Sequence, residues 1–347
     1  MLLQGIFPAI TTPFYAGGAL YLKKLEHNVE RYSRTPIAGM VVLGSTGEAV
    51  MLSDAEQHEV LRVAAATAAV DKVLVAGTGR ESVSETLALT EYAATLGYDC
   101  ALVRTPHFYR PQMHPKNILA FYRSVADRSP LPVLLYNVPV FTAYDLPAEI
   151  IIELAAHPNI IGLKESSGNI EKIQGIMAGT AEIKRTVPVT EIFEAVTGRM
   201  LAAAPVAAEG SLVNIANSGA VATMAAPTRK TRTRQVSFQV LTGQAQTLHQ
   251  SLVAGAVGGV LAFAAAAPTA CFEIFTAWKE EDAGLAAGKQ TRIAAAAKSI
   301  CGEWGISALK YAADLNGYYG GPARLPLLPP TGEMKTKIEN LMRDIPN

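Results

Sequence analysis

Eight short β-branched runs, each followed by a longer helical stretch, predict an α/β chain folded as a (β/α)₈ TIM barrel with a C-terminal helical extension. Two further observations favour the barrel over an open, doubly wound sheet. The chain has 347 residues, enough for the roughly 250 of such a barrel plus additions. A G-x-G-x-x-G fingerprint, which would favour a dinucleotide-binding sheet, is missing after the first run, and Gly77-Thr78-Gly79 after the third is only a fragment of it.

The strand candidates, in order, are Ile6–Ile10, Met40–Leu43, Val73–Ala76, Cys100–Arg104, Val133–Tyr136, Ile160–Lys164, Phe238–Leu241 and Val257–Phe263. Helical patterns lie between them around Tyr21–Tyr32, Asp54–Ala69, Val83–Leu96, His114–Asp127, Pro147–Ala155, Asn169–Met177 and Gln244–Ala254. Ser53 with Glu56 three residues on forms a capping-box pattern, and Gly97 is placed to stop a helix. Residues 1–280 therefore read as the barrel and 281–347 as the helical extension. The stretch 182–234, between the sixth helix and the seventh strand, is surplus to a single helical crossover. Entering after a helix and before a strand, it belongs to the barrel's N-terminal face, and it reads as an oligomer or stability element rather than a lid. Its closing basic run, Arg229–Arg234, reads as a solvated face.

Thirty Lys and Arg balance thirty Asp and Glu, so no global charge draws the chain to nucleic acid or an anionic membrane. Cys100, Cys271 and Cys301 are few and scattered, which suits reduced thiols in a cytoplasmic protein. The opening MLLQGIFPAITTPF lacks the marks of a signal peptide. Ser251–Phe272 holds no charged residue, but its Gly, Ala and Pro268 favour a buried strand and helix start over a membrane span.

In a barrel, groups just past the carboxyl ends of the strands converge on one mouth. Four strands end there in Gly44-Ser45-Thr46-Gly47-Glu48, Thr105-Pro106-His107-Phe108-Tyr109, Tyr136-Asn137-Val138-Pro139 and Lys164-Glu165-Ser166-Ser167-Gly168. Lys164 closes an apolar run, so its stem leaves the core and its amine sits in a confined place. Such an amine, when deprotonated, attacks carbonyls; the alternative is a lysine that marks where the strand meets solvent. Tyr136 ends the neighbouring strand and could shuttle protons beside it, or simply pack its ring. The hydroxyls and backbone N–H groups of Ser45-Thr46-Gly47 suit a small carboxylate, or form an ordinary turn. Glu48 reads as a turn-stabilising carboxylate. No HxH or HExxH spacing points to a metal, and only His107 among the histidines lies at the mouth.

These motifs resemble the dihydrodipicolinate synthase and N-acetylneuraminate lyase superfamily of pyruvate-dependent class I aldolases, across nearly the whole chain apart from the insertion. His157-Pro158-Asn159-Ile160 and Gly317-Tyr318-Tyr319-Gly320-Gly321-Pro322 look most like 4-hydroxy-2-oxoglutarate aldolases within it. The resemblance implies a Schiff base on Lys164, with Tyr136 and Thr46 completing the catalytic set. It implies substrate contacts from Ser45, Thr46, Gly47, Gly243, Val260, Phe108 and Phe141. It also implies a 2-oxo acid substrate, a homo-oligomer (tetramer or dimer), and no metal or organic cofactor. Two departures stand out: Phe108 occupies the place of a relay tyrosine, and Val140-Phe141-Thr142 that of a carboxylate-binding arginine. The second favours a less charged or shorter aldehyde partner. Expected activities are thus 4-hydroxy-2-oxoglutarate cleavage first, then dihydrodipicolinate synthesis or sugar-acid cleavage, with a non-catalytic 2-oxo-acid-binding barrel as the rival of another class.

Overall fold

The computed structural model describes residues 1–203, 231–345 and 347. Its strands are β1 Gly5–Pro8, β2 Gly39–Val42, β3 Val73–Gly77, β4 Cys100–Arg104, β5 Val133–Asn137, β6 Ile160–Glu165, β7 Arg185–Thr190, β8 Thr231–Val236, β9 Gln239–Thr242 and β10 Gly258–Leu261. Eight of them pair in parallel in the order β1-β10-β9-β6-β5-β4-β3-β2. The ring closes between β1 and β2, where Ala38 N donates to Ile6 O and Ile10 N to Val41 O, both at 3.0 Å. The result is a (β/α)₈ barrel whose eight strands fall on the eight apolar runs of the sequence. Those strands are buried on both faces, which is why they read as continuous apolar runs rather than alternating ones.

Two cores follow from this double burial. Inside the barrel, Phe7, Val41, Val75, Leu102, Leu134, Leu241 and Val260 fill the lumen. Outside it, the helices bury Leu, Ile and Ala against the strands. Local signals set the helix ends. Ser53 Oγ accepts from Glu56 N while Glu56 accepts from Ser53 N, completing the capping box of the helix Asp54–Thr67. Gly97, at φ +81°, turns the chain out of the helix Val83–Thr95 through the left-handed region. After the last barrel helix, Pro268–Lys279, the extension adds helices Ala283–Ala297, Ile306–Leu315 and Gly332–Met342. Among the described residues no helix is long and apolar enough to cross a membrane.

The flanks of the 182–234 stretch form an antiparallel ribbon, with β7 pairing β8 from Arg185↔Val236 to Thr190↔Thr231. Within β7, Val187 and Val189 are buried while Thr186 and Pro188 are exposed, the period-two alternation of a strand with one wet face. Leu2 packs on both valines. A short helix, Gly198–Ala203, docks by Gly198 N on Asp99 Oδ1 (3.0 Å), just before β4, and by Arg199 on Ala68 O (3.0 Å), ahead of β3. These contacts lie at the amino ends of the strands. Residues 204–230, including Arg229 and Lys230 of the basic run, lie outside the described residues. Thr231 to Arg234 of that run are exposed along β8.

Candidate active site

β5 and β6 bring two side chains together because their register makes Tyr136 the partner of Lys164. Lys164 is 4% exposed, and its amine stands 4.2 Å from the centroid of the Tyr136 ring. Among the described residues it has neither an ion pair nor a hydrogen bond. The Tyr136 hydroxyl lies 3.2 Å from Ser45 Oγ, linking the tyrosine to the turn after β2. Thr46 and Gly47 are buried in that turn, whose Gly47 carbonyl accepts from Thr12 Oγ1 at 2.6 Å.

The turn is held in an unusual shape. Leu43 and Glu48, on either side of it, take φ values of +60° and +55°, costly for residues with a Cβ. A buried ion pair supports it from below: Lys310 Nζ lies 2.5 Å from Glu48 Oε1, with both side chains sealed from water. Glu48 Oε2 also accepts from Arg324 N at 2.8 Å, and Lys310 donates to Pro322 O at 2.8 Å. Burial pushes the Lys310 ammonium below the usual lysine range, and the Glu48 charge opposes that shift. The Arg324 guanidinium grips both oxygens of Glu56 (2.9 and 2.6 Å) and holds that carboxyl at about 2. The C-terminal extension thus reaches under the turn and fastens it. Glu48 is a structural carboxylate.

Other site candidates are spread around this centre. Val260 lies in the barrel lumen beside Tyr136 and Leu241. Gly243 N donates to Glu165 O at 2.6 Å, and a Cβ there would fall 1.9 Å from Ser166 Oγ, so only glycine lets β6 and β9 end this close. Phe108 and Phe141 stand 75% and 61% exposed, on the rim rather than against the amine. His107 Nδ1 lies 2.9 Å from Glu81 Oε1 and 2.8 Å from Arg104. Among the described residues no cluster of His, Cys, Asp or Glu could hold a metal. A cleft opens from Tyr136 and Ser45 past Gly79 to Arg80 and Arg104. Lys164 is not one of its walls; the amine sits against the tyrosine ring. Arg80, Arg104, Lys310 and Arg324 are residues that reading the sequence passed over. Arg104 carried a signal all the same: it ends an apolar strand as Lys164 does.

Fold and site together define a class, the class I aldolase barrel, in which an enzyme lysine forms a Schiff base with its substrate. The chain belongs to the dihydrodipicolinate synthetase family, whose sequence pattern matches residues 2–218 and 196–345. It is 29% identical over 341 residues to a 4-hydroxy-tetrahydrodipicolinate synthase of Methanothrix thermoacetophila, covering 98% of this chain and 96% of that one. A synthase of the same name from Xanthomonas axonopodis pv. citri is 43% identical over 178 residues, 51% of this chain and 58% of that relative. The fold also matches a dihydrodipicolinate synthase of Bacillus anthracis, with TM-score 0.79 at 21% identity over the full length of both chains. A dihydrodipicolinate synthase of Acinetobacter baumannii, solved with pyruvate, matches at TM-score 0.78 and 25% identity over 99% of each chain.

Proposed function

We propose that the protein joins pyruvate to an aldehyde through an imine on Lys164, the reaction type of the 4-hydroxy-tetrahydrodipicolinate synthases it resembles. One observation carries this reading: a buried lysine amine, unpaired among the described residues, faces a tyrosine whose hydroxyl meets the Ser45-Thr46 turn. The Lys164 lone pair attacks the 2-oxo carbon of pyruvate, and the carbonyl oxygen leaves as water after protonation through Tyr136 and Ser45. Loss of a C3 proton from the protonated imine gives an enamine. That carbon then adds to the aldehyde, whose oxygen takes the returning proton, and water releases the product from the lysine. The Thr46 hydroxyl and the N–H groups of the turn would hold the pyruvate carboxylate. The protonated imine is itself the electron sink, so the chemistry asks for no cofactor.

A second reading, reversible cleavage of 4-hydroxy-2-oxoglutarate, is favoured by Phe141, an apolar residue where an arginine would serve a synthase. Borohydride reduction with pyruvate, followed by peptide mass mapping, tests the shared step. A pyruvyl adduct on Lys164, lost in Lys164→Ala, is the expected result, and labelling elsewhere or none would sink the mechanism. Product assays with pyruvate plus aspartate semialdehyde, with 4-hydroxy-2-oxoglutarate and with N-acetylneuraminate then separate the activities.

A further inference from the structure

Two guanidiniums stand over the cleft, and the imine chemistry leaves both without a role. In parallel strands, register partners project to the same side of the sheet. Arg104 pairs with Tyr136, and Tyr136 with Lys164, so the three share one inward-facing layer. Arg104 NH1 donates to Glu81 Oε1 at 2.7 Å and lies 2.8 Å from His107 Nδ1, which fixes the side chain. Its Nε and NH2 have no partner among the described residues. Burial works to raise the Glu81 pKa, but N–H bonds from Phe108 and His107, with Arg104 itself, hold the carboxyl below its usual range.

Arg80 lines the same cleft. Its NH2 pairs with Asp54 at 2.6 Å, while its Nε–H is closed off from water with no partner among the described residues. Arg80 and Arg104 are walls of the cleft and neither Asp54 nor Glu81 is, so the charged side chains that line it with Tyr136 are cationic. A Cβ on Gly79 would come 2.4 Å from Arg104 N, 3.2 Å from Val103 C and 2.9 Å from Arg104 Cγ, so glycine there lets the chain after β3 lie directly against the end of β4 that carries the arginine.

A fixed guanidinium with a free edge, at a wall partly screened from water, matches a carboxylate in planar, two-point fashion. We infer that Arg104, backed by Arg80, forms an anion subsite that binds a second carboxylate, carried by the aldehyde partner or by the far end of a cleaved 2-oxo diacid. The inference rests on the aldolase reading and narrows it to acidic partners. It revises the expectation drawn from Phe141: the carboxylate is met from β3 and β4 instead of the loop after β5.

The test compares borohydride trapping of pyruvate with that of 2-oxoglutarate, a 2-oxo acid bearing a distal carboxylate. Arg104→Met raises the half-saturating 2-oxoglutarate concentration about tenfold or more. Pyruvate trapping changes less than about twofold in the same variant, which also reports that the barrel is folded. Arg104→Lys recovers part of the loss, since an ammonium supplies charge without the fork. With pyruvate as donor, KM for glyoxylate or aspartate semialdehyde rises in Arg104→Met and Arg80→Met, while kcat/KM for acetaldehyde holds. A wild-type protein that traps pyruvate but shows no 2-oxoglutarate adduct overturns the subsite. So does an equal loss for both acids. Absence of any pyruvate adduct in the wild type instead removes the aldolase reading, and the subsite with it.

Discussion

Tyr136 is the residue whose replacement separates chemistry from architecture, because its ring and its hydroxyl have different partners. The ring packs in the barrel lumen and covers the Lys164 amine, while the hydroxyl touches Ser45. Tyr136→Phe keeps the first contact and deletes the second, so kcat for the condensation falls by roughly 10²-fold or more with little change in stability. Rapid-quench trapping shows the imine forming more slowly at unchanged final yield; an unaltered turnover would remove the tyrosine from the proton path. The strand-end position of Lys164 left two readings open in the sequence, a reactive amine and a lysine where the strand meets solvent, and the resemblance of Gly162–Gly168 to the family motif is what singled it out. Arg104 shows the same pattern in Cys100-Ala101-Leu102-Val103-Arg104, yet an arginine at a strand end reads more readily as the strand reaching solvent. Only the register of β4 against β5 reveals that it faces the tyrosine.

Residues as far as 276 apart in the chain meet beneath the Ser45-Thr46 turn, and there the sequence was least informative. Local periodicity placed strands and helices well, since both faces of each barrel strand are buried and each helix carries its own caps. The Glu48–Lys310 pair leaves no local trace except that Lys310 sits on the stripe Ile306-Leu309-Lys310-Ala313, where a fourth apolar residue would be expected. Lys310→Met strands the Glu48 carboxylate in the interior and costs about 3–5 kcal/mol. Adding Glu48→Gln removes the orphaned charge and recovers much of that loss, a coupling that denaturant unfolding of the two singles and the double measures. The Arg324–Glu56 clamp predicts an acid response. With its folded pKa near 2 and an ordinary value of 4.5, Glu56 stabilises the fold fully above pH 4.5, and the contribution fades as pH falls toward 2. The protection of the amides in the 322–328 segment, each rate taken relative to the intrinsic rate at the same pH, should therefore fall across that window in the wild type. In Arg324→Met that protection should be low already at pH 6; identical profiles would mean that the clamp does not hold the segment.

At the scale of the whole molecule, the proposed site lies at one end of the barrel and the ribbon braces the other. The groups proposed to react gather at the carboxyl ends of β2, β5 and β6, whereas the ribbon β7–β8 and the helix Gly198–Ala203 fasten to the amino ends, near Leu2, Ala68 and Asp99. In a barrel of this kind the site is built at the carboxyl ends of the strands and the amino-end face serves stability, and here a packed lumen, filled from Phe7 to Leu241, stands between the two. The ribbon can be cut out at its base, because Arg185 and Val236 are register partners and neighbouring strands lie about 5 Å apart. Arg185 must stay, since it bonds Ala155 O and His157 O at 2.7 and 2.9 Å. Replacing Thr186 through Gln235 by an Asn-Gly turn therefore leaves a connected barrel. Half-saturating pyruvate in the trapping assay should remain within about twofold of wild type. The thermal midpoint should drop by roughly 5 °C, as Leu2 becomes exposed and Asp99 loses one of the two N–H donors that offset its burial. Sedimentation of the same variant shows whether copies of the chain associate through this end. Loss of the pyruvate adduct in a variant that still melts cooperatively would contradict the division, and would tie the floor of the barrel to its chemistry.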